Sequence, residues 1–170
     1  MRVLTTEECA AWCRKNRFSL GESEEPQLPE GADLISFAVP RESGIQLALA
    51  REMGDWIESR GSALLWMTDW PMSHDDESAL VQTWRKAYGE ERPLIEAPGY
   101  LLEGKERNEL VNLLHFVMAF GWDAFVLLPR QQDLVFLSHD EYGDIYTPDP
   151  KGLTNLQEML RLLSIRMLKL

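Results

Sequence analysis

The amino-acid sequence predicts an α+β (mixed α/β) fold: a mixed sheet of about five strands with a βαβ unit, a C-terminal antiparallel hairpin or meander, and helices on both faces. Three observations carry this expectation. "DLISFAVP" and "SALLWMTDWP" are short apolar runs that read as strands, and "WDAFVLLP" and "DLVFLSHD" are apolar at consecutive positions, the pattern of strands covered on both sides. The segments around them repeat apolar residues at helical spacing. The links between them are of two kinds, a helical crossover early in the chain and the short loop Arg130-Gln131-Gln132 late in it.

Taken in order, "TTEECAAWCRKNRF" opens with a Thr5-x-x-Glu8 capping box and places Cys9, Ala10 and Cys13 on one face, which predicts a helix over 6 to 17. Two cysteines four apart make no disulfide framework and a poor zinc signal, so both are read as buried free thiols. "GESEEPQLPEG" is a polar, proline-containing connector. The strand "DLISFAVP" leads into a helix with Ile45, Ala48, Leu49, Met53, Trp56 and Ile57 on one stripe, closed by Gly61, and then into the strand "SALLWMTDWP". Strand, helix and strand together form a βαβ unit, whose strands are expected parallel, either paired directly or around one intervening strand.

A helix near 75 to 88 follows, with Leu80, Val81, Trp84 and Tyr88 on one face. "ERPLIEAPGYLLEG", with two prolines and a Pro98-Gly99 turn signal, is read as irregular. "KERNELVNLLHFVMAFG" is the most apolar helix, with His115 on its polar stripe beside Asn108 and Asn112. The hairpin strands come next, then a short strand "DIYTP". A last helix near 154 to 169 carries the stripe Leu156, Met159, Leu160, Leu163, Met167 and Leu170. At 170 residues the chain is read as one domain, 1–170, large enough to bury about 70% of its unfolded surface.

Composition narrows the function. With 45% hydrophobic and 26% charged residues, no apolar run near the roughly 18 residues of a membrane helix and no signal-peptide core, the chain reads as a cytoplasmic globular protein away from membranes. Its 28 acidic residues outnumber 17 basic ones, for a net charge of −11, which disfavours nucleic acid. Acids gather at Glu22, Glu24, Glu25, Glu30 and Asp33, and no Lys or Arg falls between Arg130 and Lys151.

The run Ser-His-Asp occurs twice, in "WPMSHDDESAL" and "FLSHDEYGDIYTPDP". Neither copy makes a hydrolytic triad, because consecutive residues of an extended chain point to opposite sides, and no G-x-S-x-G elbow supports a nucleophile. Both copies fit Ser-x-x-acid caps, Ser73 to Asp76 and Ser138 to Glu141. A metal set would draw on His139 and Asp140 with His74 and Asp76, provided the direction of the 123–129 strand brings His139 beside His74. A metal-dependent hydrolase or nuclease would use His139, Asp140, Asp149 and Lys151, with Asp133 or Asp140 as the upstream acid of an acid-x-Lys pattern, although Pro150 between its members suggests a turn. Neither glycine-rich phosphate loop occurs, so no cofactor is expected. The βαβ loops are expected to bring Arg41, Asp69, Trp70 and His74 to one cleft.

The reading that gathers most of these features is a non-enzymatic binding module, analogous in size and charge to small acidic immunity or inhibitor proteins. It would recognise a basic protein surface through Asp140, Glu141, Tyr142, Asp144, Tyr146 and Asp149. A structural subunit of a homo-oligomer, associating through the helices that carry Trp56 or Trp84, is the third possibility.

Overall fold

A computed structural model describes residues 1–29, 34–70 and 75–168, with side chains described outside 75–78. Among these residues the order of elements is β1 (Arg2–Leu4), α1 (Thr6–Lys15), β2 (Leu34–Ala38), α2 (Ser43–Glu58), β3 (Ala63–Asp69), α3 (Asp75–Ala87), β4 (Gly99–Leu102), α4 (Arg107–Phe120), β5 (Asp123–Leu128), β6 (Asp133–Ser138), β7 (Tyr142–Tyr146), α5 (Pro150–Leu162) and β8 (Met167–Leu168). The strands form one eight-stranded sheet in the order β1-β4-β3-β5-β6-β7-β2-β8, and every neighbouring pair is antiparallel. None of the described helices is long and apolar enough to cross a membrane.

The mixed sheet with a βαβ half is therefore corrected. Antiparallel neighbours throughout mean that β2 and β3, joined through α2, run in the same direction, but β5, β6 and β7 stand between them. The reason lies in which strands tolerate an edge. The runs of β5 and β6 are apolar on both sides and need cover on both, whereas the outer positions fall to β1 and β8, of 3 and 2 residues, which present little unpaired backbone. Three strands escape the sequence pattern. β1 and β8 are too short to show alternation, and β4 lies inside the proline-marked segment that reads as irregular.

Each face of the sheet has its own core. Alternate residues Ile35, Phe37, Leu65, Met67, Val126, Val135 and Ile145 meet α2, α3, α4 and α5 on one face. On the other, Leu64, Trp66, Leu127 and Leu134 meet Cys9, Ala10 and Cys13 of α1. The helix α1 begins as its sequence predicts: the Glu8 amide donates to Thr5 Oγ1 at 3.2 Å and the Thr5 amide donates to Glu8 at 2.8 Å. Both thiols are free and buried, and burial pushes Cys13 up to about 12 and Cys9 higher still.

The last helix begins four residues earlier than its apolar stripe indicates. Asp149 is its N-cap, accepting from the Lys151 amide at 3.1 Å, and Pro150 takes the first helical position, where a missing N–H costs nothing. The chain then leaves the helix, and Met167 pairs with Phe37 in β8 instead of extending the stripe.

Candidate functional site

Strands β2, β3 and β6 end, and β5 begins, at the same end of the sheet, so the β2–α2 loop, the residues after β3, the α4–β5 junction and the β6–β7 turn gather there. The pairing of β3 with β5 sets Asp69 opposite Asp123, one step beyond an irregularity between Met67 and Asp69. Two carboxylates facing each other across a strand pair repel. His139, in the turn after β6, lies against both. Its backbone amide donates to Asp123 Oδ1 at 2.6 Å, and its ring Nδ1 lies 2.9 Å from the same oxygen. Asp69, Asp123 and His139 each offer a ligand atom within 4.8 Å of the others, the one such grouping of three among the described residues. The Asp123 side chain is 17% exposed and the imidazole 41%. The hydrogen bond to Asp123, reinforced by its charge, raises the pKa of His139 above the ordinary histidine value. On the ring's other side, Nε2 is 3.6 Å from the exposed Asp140.

A pocket of about 320 Å³ adjoins this group. Val39, Val117, Met118, Trp122 and Leu137 give it apolar walls, and His139 with Arg41 and Glu141 lie on its polar side. Gln46 also lines it, though only 7% exposed. Its amide nitrogen donates to Pro40 O at 2.9 Å and Met118 O at 3.1 Å, which spends both N–H groups and fixes the orientation of the amide. Gln46 Oε1 accepts no hydrogen bond among the described residues and remains available to an occupant of the pocket.

The residues singled out from sequence are distributed as follows. Arg41 and Asp69 leave the same end of the sheet but do not share a cleft: four inter-strand steps, about 19 Å, separate β2 from β3. Arg41 instead donates to Glu141, from Nε at 2.9 Å and Nη2 at 2.5 Å, and Trp70 packs on the helical core. His74, the side chain of Asp76 and the Ser73 cap lie outside the described residues. Ser138 does accept a backbone N–H, from Asp140 at 3.2 Å, but Glu141 closes no capping box. Its carboxylate turns to Arg41 while its backbone takes a left-handed φ of 62° in the hairpin turn. His115 is half-buried and lies 3.4 Å from the Ser43 hydroxyl.

The acid-x-Lys set falls at the opposite end of the sheet from His139. There the Arg60 guanidinium lies 3.3 Å from Asp133 and 3.5 Å from Asp149, taking the place between the two acids that a metal ion would need. Asp133 is fully buried, and burial raises its pKa against the opposing pull of the Thr147 hydroxyl and Arg60. Lys151 enters through its backbone amide as part of the α5 cap.

Of the acidic and tyrosine patch, Tyr142, Asp144 and Tyr146 alternate onto the α1 face of β7, each half-buried. Asp144 accepts from the Ser36 hydroxyl on β2. On the same face an aromatic run crosses three strands: Phe125 and Phe136 have ring centroids 4.7 Å apart, and Phe136 and Tyr142 are 6.0 Å apart. Asp140 is 73% exposed at the turn above them. Phe125, Phe136 and Asp123 are the members that sequence reasoning passed over. The two phenylalanines sit within apolar runs, and Asp123 gains its meaning only from the register of β5 against β3. Compared with known proteins, the chain matches no family model, no curated protein and no solved structure.

Proposed function

We propose that the chain is a non-enzymatic, cytoplasmic protein-binding module that takes a basic protein surface on the β5–β6–β7 part of the α1 face. The observation that carries this reading is the half-buried run Phe125, Phe136 and Tyr142, bordered by Asp140 and Asp144, with all but Phe125 in a stretch without Lys or Arg from 131 to 150. Aromatic rings supply contact area at low entropic cost, and surrounding acids steer a cationic partner into register. Glu141 and Asp149, each already facing an arginine of the chain itself, contribute less to such a contact than Asp140.

Basic peptides and small basic proteins selected by display against the full chain test this. The affinity of the selected binders is expected to fall steeply with added salt. The double substitution Asp140→Lys with Asp144→Lys is expected to weaken them by about 100-fold or more, and Tyr142→Ala by about tenfold. Binders indifferent to both variants remove the reading.

A further inference from the structure

The grouping of Asp69, Asp123 and His139 is independent of the aromatic face and carries its own chemistry. We propose that these three side chains, brought together at one end of the sheet beside the Gln46 pocket, form a binding site for a divalent cation of the zinc class. Three features support the assignment.

The donor set fits. Two ligands bound at about 2.0–2.2 Å to one tetrahedral ion lie about 3.3–3.6 Å apart, and the imidazole nitrogen stands 2.9 Å from an Asp123 oxygen, a few tenths of an ångström short of that separation. All three donor atoms fall within 4.8 Å, so small side-chain rotations place them around a common centre. A nitrogen with two carboxylates favours zinc or manganese over magnesium, which prefers an all-oxygen, largely hydrated shell. The cation would take the place of the proton on Nδ1, while Asp123 Oδ1 keeps the His139 backbone amide that positions the ring.

The charge asks for it. Asp69 and Asp123 oppose each other, Asp140 lies just beyond the ring, and the nearest arginine in the same loop cluster, Arg41, is paired with Glu141. In the described structure a single imidazole faces all three carboxylates.

The surroundings point to a bound molecule. Three ligands among the described residues leave a zinc-class ion with an open position, the arrangement of sites that engage a further ligand. The adjoining pocket of about 320 Å³ shares His139 with the cation site. It also presents the unused acceptor of Gln46, a side chain 7% exposed whose nitrogen is fully committed to two backbone carbonyls. With its nitrogen committed, the Gln46 oxygen is the atom of that amide left to accept from a molecule in the pocket.

Calorimetric titration of the full chain, stripped with a chelator, is the test, with zinc, cobalt and magnesium chlorides as separate probes. One zinc per chain is expected, cobalt should develop a visible ligand-field band at the same stoichiometry, and magnesium should bind at least about tenfold more weakly. His139→Ala and, separately, Asp69→Asn should each lower zinc affinity by about tenfold or more, and Asp140→Asn should change it by less than about threefold. Both ligand variants alter exposed side chains, and circular dichroism verifies that each is folded. Absence of stoichiometric zinc and cobalt binding up to about 1 mM overturns the proposal, as does wild-type zinc affinity in a folded His139→Ala or Asp69→Asn protein. Because the ligand substitutions His139→Ala and Asp69→Asn leave Phe125, Phe136, Tyr142, Asp140 and Asp144 in place, failure here leaves the binding-module reading where it stood.

Discussion

Gly143 sits in the middle of β7, between Phe37 of β2 and Leu137 of β6, and a methyl group added there has nowhere to go. Its Cβ would stand 2.8 Å from Phe37 Cε1 and 3.1 Å from Leu137 Cδ2, and closer still to Phe37 Cζ. Phe37 is fully buried, and its rigid ring has no free direction in which to turn. Overpacking of this kind costs about 1–3 kcal/mol, while replacing glycine in a strand returns about 0.5–1 kcal/mol of chain entropy. Gly143→Ala is therefore expected to destabilise the protein by about 1.5 kcal/mol, a fall of about 3–6 °C in Tm for a chain of this size. Phe37→Leu alone should cost about 1–2 kcal/mol through lost contact. In the double variant the new methyl occupies the volume the ring vacates, so the two costs should fall short of their sum by about 1 kcal/mol. Urea denaturation followed by circular dichroism measures all four corners of the cycle. Additivity within about 0.4 kcal/mol, or a Gly143→Ala protein as stable as the parent, would refute the argument that the ring of Phe37 lies over the glycine.

Further outcomes follow from other parts of the molecule. Arg85 is fully buried and donates to Ala97 O at 2.9 Å, Arg92 O at 3.0 Å and the Tyr100 hydroxyl at 2.5 Å, tying the segment after α3 to β4. Arg85→Lys keeps the charge but cannot span three acceptors, and thermal denaturation should register a loss of about 3 kcal/mol. The Arg92 side chain holds Glu90 at about 2, below its usual 4.5, so this contribution to stability is present above pH 4.5 and disappears as pH falls towards 2. Across that window the Tm of Glu90→Gln should converge on that of the parent, and a constant difference down to pH 2 would contradict the pairing. Cys9 and Cys13, buried with raised pKa values, should react with a thiol reagent only as fast as the fold opens, so labelling rates should track denaturant-dependent stability.

The helices were legible because each declares itself locally. The Thr5–Glu8 capping box, the apolar stripe from Ile45 to Ile57 and Gly121 in a left-handed cap after α4 are read within a few residues of chain. Strand order was not, since it depends on which runs win the covered central positions, a competition among segments far apart in sequence. Gly143 illustrates the same limit at one residue. The left-handed φ of the β6–β7 turn belongs to Glu141, and the glycine two residues on serves to admit Phe37. Asp149-Pro150 carried a genuine local signal, an N-cap followed by proline, which the acid-x-Lys pattern competed with. Asp69 and Asp123 lie at the ends of two apolar runs, where polar residues need no explanation until the register sets them face to face. The carboxylates around Arg60 were separable by no sequence rule, because the guanidinium arrives from the turn after α2, distant in the chain from both.

The position of β2 imposes an order of events on the chain. Its hydrogen-bonding partners are β7 and β8, and even the side-chain bond from Ser36 to Asp144 spans 108 residues. Every other long strand finds a neighbour sooner, and loop closure over such distances slows folding. A ribosome delivering this chain must therefore leave the β2 backbone around Ile35 and Phe37 without its principal strand partner until β7 emerges. The loop that carries Arg41 and one wall of the Gln46 pocket takes shape only after β7 is made, and a nascent chain stopped short of β7 already holds Asp69, Asp123 and His139 but lacks Tyr142 and Asp144 of the acidic face.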